Sequence, residues 1–318
     1  MWHEVELSQH CLIIGASHAG SQCAISLRQS GWDGQITLLG DESDLPYHHP
    51  PLSKDFLSGD KTINDILLRP AATYDKADVT LRLGTHIAKI DRDAKRVTTD
   101  KGETLSYDKL VLATGARVRK LPIEGADDPR VLYLRDSNDV RAIKSHIASG
   151  KRAVIIGGGY IGLETAASLR KQGMEVTVLE AMDRILQRVT APIMSQFYKR
   201  IHTEEGVVIA ESEMADSISQ NGEALSVNTK SGQSYAADLI IIGIGVIPNT
   251  ELAQEADLKV ENGIIVNEFC QTNDADIYAI GDVSWHHNII YDREMRLESV
   301  PNATEQAKTV ALHMTGKE

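Results

Sequence analysis

Two stretches of the chain share one pattern of apolar and polar positions. Each begins with an unbroken apolar run ending in glycine, Cys11-Leu-Ile-Ile-Gly15 and Ala153-Val-Ile-Ile-Gly157. A run that is apolar at every position marks a strand buried on both faces, whereas a half-exposed strand would alternate. A helical stretch follows each run, over about 18–30 and about 160–172, and Gly31 and Gly173 stop them. Short strands come next, Gln35-Ile-Thr-Leu-Leu39 and Glu175-Val-Thr-Val-Leu179. The repeat distance is 142 residues, from Gly15 to Gly157 and again from Gly31 to Gly173. Later in each half a β-rich stretch, 79–105 and 207–235, reads as antiparallel hairpins, with turns at 91–94 and 220–223. Each half then closes with an apolar strand ending in glycine, at Gly115 and at Gly243. A last apolar strand, Tyr278-Ala-Ile-Gly281-Asp282, suits a return to the first sheet.

The glycine turns carry the chemistry. A tight turn between strand and helix leaves backbone N–H groups and a helix N-terminus facing outward, which favours a pyrophosphate. The second turn is a full G-x-G-x-x-G, with Gly157, Gly159 and Gly162; the first has Ser17 at the middle position, before Gly20. Glu180 ends the second strand, where a carboxylate accepts both ribose hydroxyls and repels a 2′-phosphate. NADH is therefore favoured over NADPH, with nearby Arg184 as the opposing signal. The expected fold is α/β, with two nested three-layer ββα-type Rossmann-like dinucleotide-binding domains. Residues 1–115 and 244–318 form the first, and 116–243 are inserted as the second. Two dinucleotide sites in one chain imply electrons passing from one to the other.

Composition narrows the setting. At 318 residues, 42% hydrophobic and 25% charged, the chain can fill two cores. A net charge of −12 argues against a nucleic-acid surface. No apolar run is long enough to span a membrane, and Met1-Trp-His-Glu-Val-Glu6 has neither the basic nor the apolar region of a signal peptide. The cytoplasm is the expected compartment. Cys11, Cys23 and Cys270 form no C-x-x-C pair, and Cys11 and Cys23 read as small core residues, so a thiol relay is not expected. His286 and His287 lack a third ligand, so no metal is expected.

Pro50 and Pro51 set an extended turn before a helix starting near Ser53. Lys54 is there either a solvated helix-start lysine or a cation aimed at a bound ring. PPLSK (50–54), LATGA (112–116), YLR (133–135), GGGYIGLE (157–164), VTVLE (176–180), GIGVIPNTELA (243–253), IYAIGDV (277–283) and RLESVPNATEQA (296–307) occur in this order. Together they resemble the FAD-dependent NADH:ferredoxin reductases of bacterial oxygenase systems, over essentially the whole chain. That family includes putidaredoxin and rubredoxin reductases and is related to apoptosis-inducing factor.

The resemblance implies the pyridine nucleotide-disulfide oxidoreductase fold, with FAD in the first site and NADH in the second. Hydride would pass to the flavin, and single electrons onward to a ferredoxin or rubredoxin. Lys54 would be catalytic beside the flavin N5 edge, as a buried ammonium paired with Glu164. FAD contacts would come from Gly15, Ser17, His18, Ala19, Gly20, Asp41, Glu42 and Pro51. Others would come from Ala113, Thr114, Gly115, Arg135, Gly281 and Asp282, the last at the ribityl chain. Ser299 and Val300 open a helix whose N-terminal dipole would face the flavin pyrimidine. The nucleotide side would use Gly157, Gly159, Tyr160, Ile161, Gly162, Glu180 and Gly245; Tyr160 is a nicotinamide gate or a packing residue.

Three departures follow. Gly40 stands where the second half has Glu180, and His49 stands where the family has arginine. The chain ends at Gly316-Lys317-Glu318, where the family continues into a C-terminal domain that covers the flavin. Without that domain, appreciable NADH oxidase activity is expected. An acidic iron–sulfur partner would need basic residues, for which Arg117, Arg119, Lys120, Arg293 and Arg296 are available, while Glu298 is either a surface charge or a site residue. The rival readings are an NADH oxidase or peroxidase, which needs a cysteine that 41–54 lacks, and a redox-sensing FAD/NAD(H)-binding protein. A monomer or homodimer fits either.

Overall fold

A computed structural model describes residues 9–317; the N-terminal hexapeptide weighed as a signal peptide, and Glu318, lie outside them. The chain divides into two compact units. The first takes the chain up to His48, Leu67–Arg117 and the stretch from Pro248; the second takes His49–Ile66 and Val118–Ile247.

The first unit is built on a five-stranded parallel sheet. Its order is Ile277–Ala279, Lys109–Leu112, His10–Ile14, Gln35–Gly40, Val79–Leu83. Cys11, Leu12 and Ile13 are fully buried, as a strand covered on both faces requires. On one face helices His18–Gln29 and Val300–Met314 bury Ala24, Leu27, Ala307 and Val310 with Cys11, Cys23 and Cys270. On the other lies a three-stranded antiparallel layer, Ile87–Asp91, Arg96–Thr99 and Thr104–Ser106, which contributes Ile87, Ile90 and Val97. Each such side chain contributes about 1.5–3 kcal/mol by leaving water.

The second unit repeats the plan. Its parallel sheet runs Val208–Glu211, Glu175–Glu180, Arg152–Ile156, Leu239–Ile242, Val131–Tyr133. Helix Tyr160–Lys171 follows the central strand. Strands Ala215–Asn221, Ala224–Thr229 and Ser234–Ala237 form its antiparallel layer.

Two expectations change. The β-rich stretches are not wholly antiparallel. The leading piece of each, Val79–Leu83 and Val208–Glu211, is a parallel edge strand of the main sheet. Helices Ala71–Lys76 and Pro192–Glu204 precede these strands and return the chain to the parallel direction. Residues 49–66, expected with the first unit, pack in the second. The Ser168 hydroxyl donates to Ser53 O at 2.6 Å, and Gln172 Nε2 donates to Leu57 O at 3.4 Å.

The strand-turn-helix units depend on close backbone contact. A Cβ at Gly20 would lie 1.9 Å from Gly15 O, and one at Gly162 would lie 2.0 Å from Gly157 O. Gly20→Ala is expected to lower stability by about 3 kcal/mol or more in urea unfolding, because the obstructing atom is backbone. A second test uses pH. Arg152 donates to Asp238 through its backbone N–H and guanidinium, and holds the carboxyl down at about 2. The pair contributes fully above the unfolded carboxylate range, near ~4, and is lost as pH falls through the depressed folded value. Asp238→Asn should therefore cost about 1–2 kcal/mol at neutral pH. In pH-dependent unfolding, that deficit should vanish in the acid range as the wild-type carboxyl protonates.

Candidate functional site

Both glycine turns present a helix N-terminus at the C-terminal edge of a parallel sheet. Gly15 and Gly157 take φ of +113° and +119°, and a Cβ on either would strike the carbonyl of Ala113 or Gly243. Ser17 and Gly159 occupy the N-cap positions in extended conformation, with no side-chain capping bond. A Cβ at Gly159 would meet nothing within 4 Å. Internal packing therefore does not require that glycine, whereas close approach of a pyrophosphate does.

The second turn carries a fixed carboxylate. Glu180 Oε2 accepts from Gly158 N at 2.8 Å, and Oε1 accepts from Met182 N at 2.9 Å. Two backbone donors leave lone pairs for a diol. Arg184 is spoken for: its guanidinium donates to Thr190 O, Gln187 O and Ser195 Oγ. The opposing signal for a 2′-phosphate is thereby removed. Tyr160 and Ile161, in the first helical turn, are 48% and 43% exposed, an unusual position for apolar side chains. Gly245, at φ +107°, accepts from Arg119 N through its carbonyl. The Arg135 N–H donates to Asp139, whose carboxyl burial pushes up and which completes the capping box of helix Ser137–Lys144 with the N-cap Asp136.

The first turn solves the strand end differently. A Cβ at Gly40 would lie 2.6 Å from Ala16 Cβ, while one at Gly158, which corresponds to Ala16, would lie 2.9 Å from Glu180 Oε2. Each half has room for one side chain across this gap. With Ala16 in place, the strand must end in glycine, and the carboxylates come later. Glu42 accepts from the Tyr47 hydroxyl, and Asp41 lies 3.1 Å from His86. His18 packs edge-on against His48. Ala19 lies against the Gly281 turn. Thr114 donates to Asn249 O at 2.8 Å, Asn249 Nδ2 returns a bond to Thr114 O at 2.8 Å, and Asn249 N donates to Gly115 O. Asn249 was missed from the sequence; it sits in a quoted motif, but nothing local says what it faces.

Lys54 Nζ lies 2.6 Å from Glu164 Oε2, and the Ser53 hydroxyl donates to the same oxygen at 2.6 Å. Pro51 O accepts from Lys54 N. Lys54 is 46% exposed, so the expected buried ammonium is corrected to a half-exposed one. Its orientation rests on Glu164 and on Pro50 O, which accepts from Nζ at 3.2 Å, more than on desolvation. Ser53 was also missed from the sequence.

Asp282 follows Gly281, and its carbonyl accepts from Arg296 at 3.2 Å. Arg296 is only 10% exposed and pairs with Glu298 at 2.5 Å. This removes Arg296 from the docking surface and makes Glu298 its partner. Arg293 is exposed, Arg117 pairs with Glu251, and Lys120 lies over the Tyr133 ring. Ser299 caps the helix that Val300 opens, accepting from Asn302 N. All three cysteines are free and buried, and burial pushes their thiols up, Cys270 to about 12. Such thiols are poor nucleophiles. His286 and His287 point to opposite faces of one strand, the first toward Gln306 and the second toward Asp292 and Glu294. Among the described residues no side-chain group is arranged to hold a metal ion, and no helix is long and apolar enough to cross a membrane.

Residues 9–307 match the pyridine nucleotide-disulphide oxidoreductase family. The chain belongs to that family. It is 45% identical over 306 residues to rhodocoxin reductase of Rhodococcus erythropolis, covering 96% of this chain and 72% of the relative. It is 40% identical to rubredoxin-NAD(+) reductase of Pseudomonas putida, covering 96% and 80%. A crystal structure of the covalent putidaredoxin reductase–putidaredoxin complex superposes with a TM-score of 0.94 at 42% identity, covering 98% of this chain and 76% of that one.

The carboxylate at the second strand end and the arginine near it make opposite predictions. Glu180→Ala and Gly158→Ala should each raise the KM for NADH about tenfold, the second by displacing the carboxylate. Arg184→Ala should leave the NADH over NADPH preference unchanged. Steady-state kinetics with both nucleotides check all three.

Proposed function

We propose that this chain is an NADH-dependent flavoprotein ferredoxin reductase. It binds FAD at the first turn and NADH at the second, takes hydride from NADH, and passes single electrons to a ferredoxin or rubredoxin that feeds an oxygenase. The observation that carries this reading is the pair of strand-turn-helix sites, one with a carboxylate fixed for the ribose diol. Family membership and relatives named as rhodocoxin reductase and rubredoxin-NAD(+) reductase support the same reading.

A bound flavin supplies the step from a two-electron donor to one-electron transfer. The protein's part is binding, orientation and charge. The helix N-termini at Ser17 and Gly159 favour the two pyrophosphates. Glu180 orients the adenosine ribose through the lone pairs its backbone donors leave free. Lys54 offers a cation where a ring gains negative charge on reduction, and Glu164 with Ser53 holds that cation in one place. The exposed first-turn pair Tyr160 and Ile161 offers an apolar face to the nicotinamide. The thiol-based oxidase or peroxidase reading is disfavoured, because every cysteine is buried with its acidity suppressed. The cytoplasm is the proposed compartment, since it supplies NADH and suits free thiols.

An anaerobic titration tests the reading. The yellow protein should bleach with one equivalent of NADH and then reduce added ferredoxin or cytochrome c. A protein without flavin, or one whose flavin stays oxidised, would overturn it. Lys54→Met should slow flavin reduction in stopped-flow by about 100-fold or more, with FAD content unchanged.

A further inference from the structure

We infer that Gln306 is a positioning residue for the FAD site: its buried amide holds the backbone of the Gly281–Asp282 turn and ties it to the helix opened by Ser299. The inference rests on the reading of the first unit as the FAD-binding one.

Gln306 lies on helix Val300–Met314, is 8% exposed, and is surrounded on its face by buried Ala303, Ala307 and Val310. An amide buried there is unfavourable unless it is hydrogen-bonded. Its Oε1 accepts from Gly281 N at 2.8 Å, from the Ser284 hydroxyl at 3.0 Å and from Asn302 Nδ2 at 3.3 Å. Its Nε2 lies 3.3 Å from His286 Nδ1. The Gly281 N–H and the Asn302 amide, itself oriented by Leu297 O, decide the Gln306 amide's orientation, because the flipped amide would point its own N–H groups at them. Nε2 then donates to His286, whose ring must be neutral with its proton on the other nitrogen. Burial pushes the His286 pKa down, which agrees with that state.

The turn needs such a support. Gly281 has φ +75°, and a Cβ there would come within 3.0 Å of Ala19 Cβ. The turn is thus confined beside the first helix, and its buried N–H uses Gln306 as acceptor. Removing that oxygen leaves a buried donor unpaired, so the turn must shift to find another acceptor. The neighbouring residue, Asp282, is the one carried over as the ribityl ligand. A shift of the turn therefore reaches the cofactor although Gln306 need not touch it.

The test compares full-length wild type, Gln306→Leu and Gln306→Glu, by FAD dissociation constant, flavin absorbance, midpoint potential and NADH binding. Gln306→Leu should weaken FAD binding about tenfold or more and shift the flavin bands, while NADH affinity in the second unit is unchanged. Gln306→Glu keeps the acceptor oxygen. It should hold FAD within about threefold of wild type and lower the midpoint potential, because it adds a negative charge beside the turn. Wild-type FAD affinity and bands in Gln306→Leu would overturn the inference. So would a Gln306→Glu as weak as Gln306→Leu. Should Gln306→Leu not fold, Gln306→Asn, which keeps the amide but draws its oxygen back by one methylene, takes its place: weakened FAD binding with unchanged NADH affinity supports the inference, and wild-type FAD affinity and bands overturn it. A wild type that binds no FAD would instead overturn the FAD reading, and the inference with it.

Discussion

Backbone against backbone, with no side chain between, is the constraint on which each half of this protein rests. At the first turn, Gly20 packs on Gly15 O, and Gly15 packs on Ala113 O; Gly162, Gly157 and Gly243 repeat the contact in the second half. Two segments distant in sequence meet at a point where even a methyl group does not fit. The consequence is positional. The first turn of a helix comes to lie directly above the ends of parallel strands, where its N–H groups face outward. The rest of each unit, two core faces and an antiparallel layer, serves to hold that point still.

Given the same scaffold, the two halves diverge through one steric exchange. The space between turn and strand end admits a side chain from one side only. The second half leaves it to Glu180 by having Gly158 opposite, and the first half fills it with Ala16 and must end its strand in Gly40. A carboxylate at the strand end and a residue larger than glycine in the turn exclude one another. The absence of an acidic residue at position 40 thus follows from the packing of Ala16.

Charge is placed with the same economy. Lys54 and Glu164 come from segments far apart in sequence, and Ser53 shares the acceptor oxygen. Arg296, by contrast, is withdrawn from the surface into contact with Glu298 and the Asp282 carbonyl. Two arginines three residues apart, Arg293 and Arg296, thereby differ in setting, one exposed beside the Tyr291 ring and one internal.

What the amino-acid sequence determined by itself was local. Continuous apolar runs identified the buried parallel strands, and glycines at fixed offsets identified the turns. Gly31 and Gly173 marked the helix ends within a residue or two, because periodicity and backbone freedom act over a few residues. Tertiary structure decided whatever depends on a partner outside the residue's own strand or helix, whether a few residues away or more than a hundred. It put 49–66 against helix Tyr160–Lys171 and sent Val79–Leu83 and Val208–Glu211 into the parallel sheets. It enclosed Arg184 in carbonyl oxygens and a hydroxyl, and turned Gln306 toward Gly281. A buried arginine and an exposed one, or an amide in a core and one in water, look alike along the chain. Only the groups brought opposite them in space set their hydrogen bonds and hence their roles.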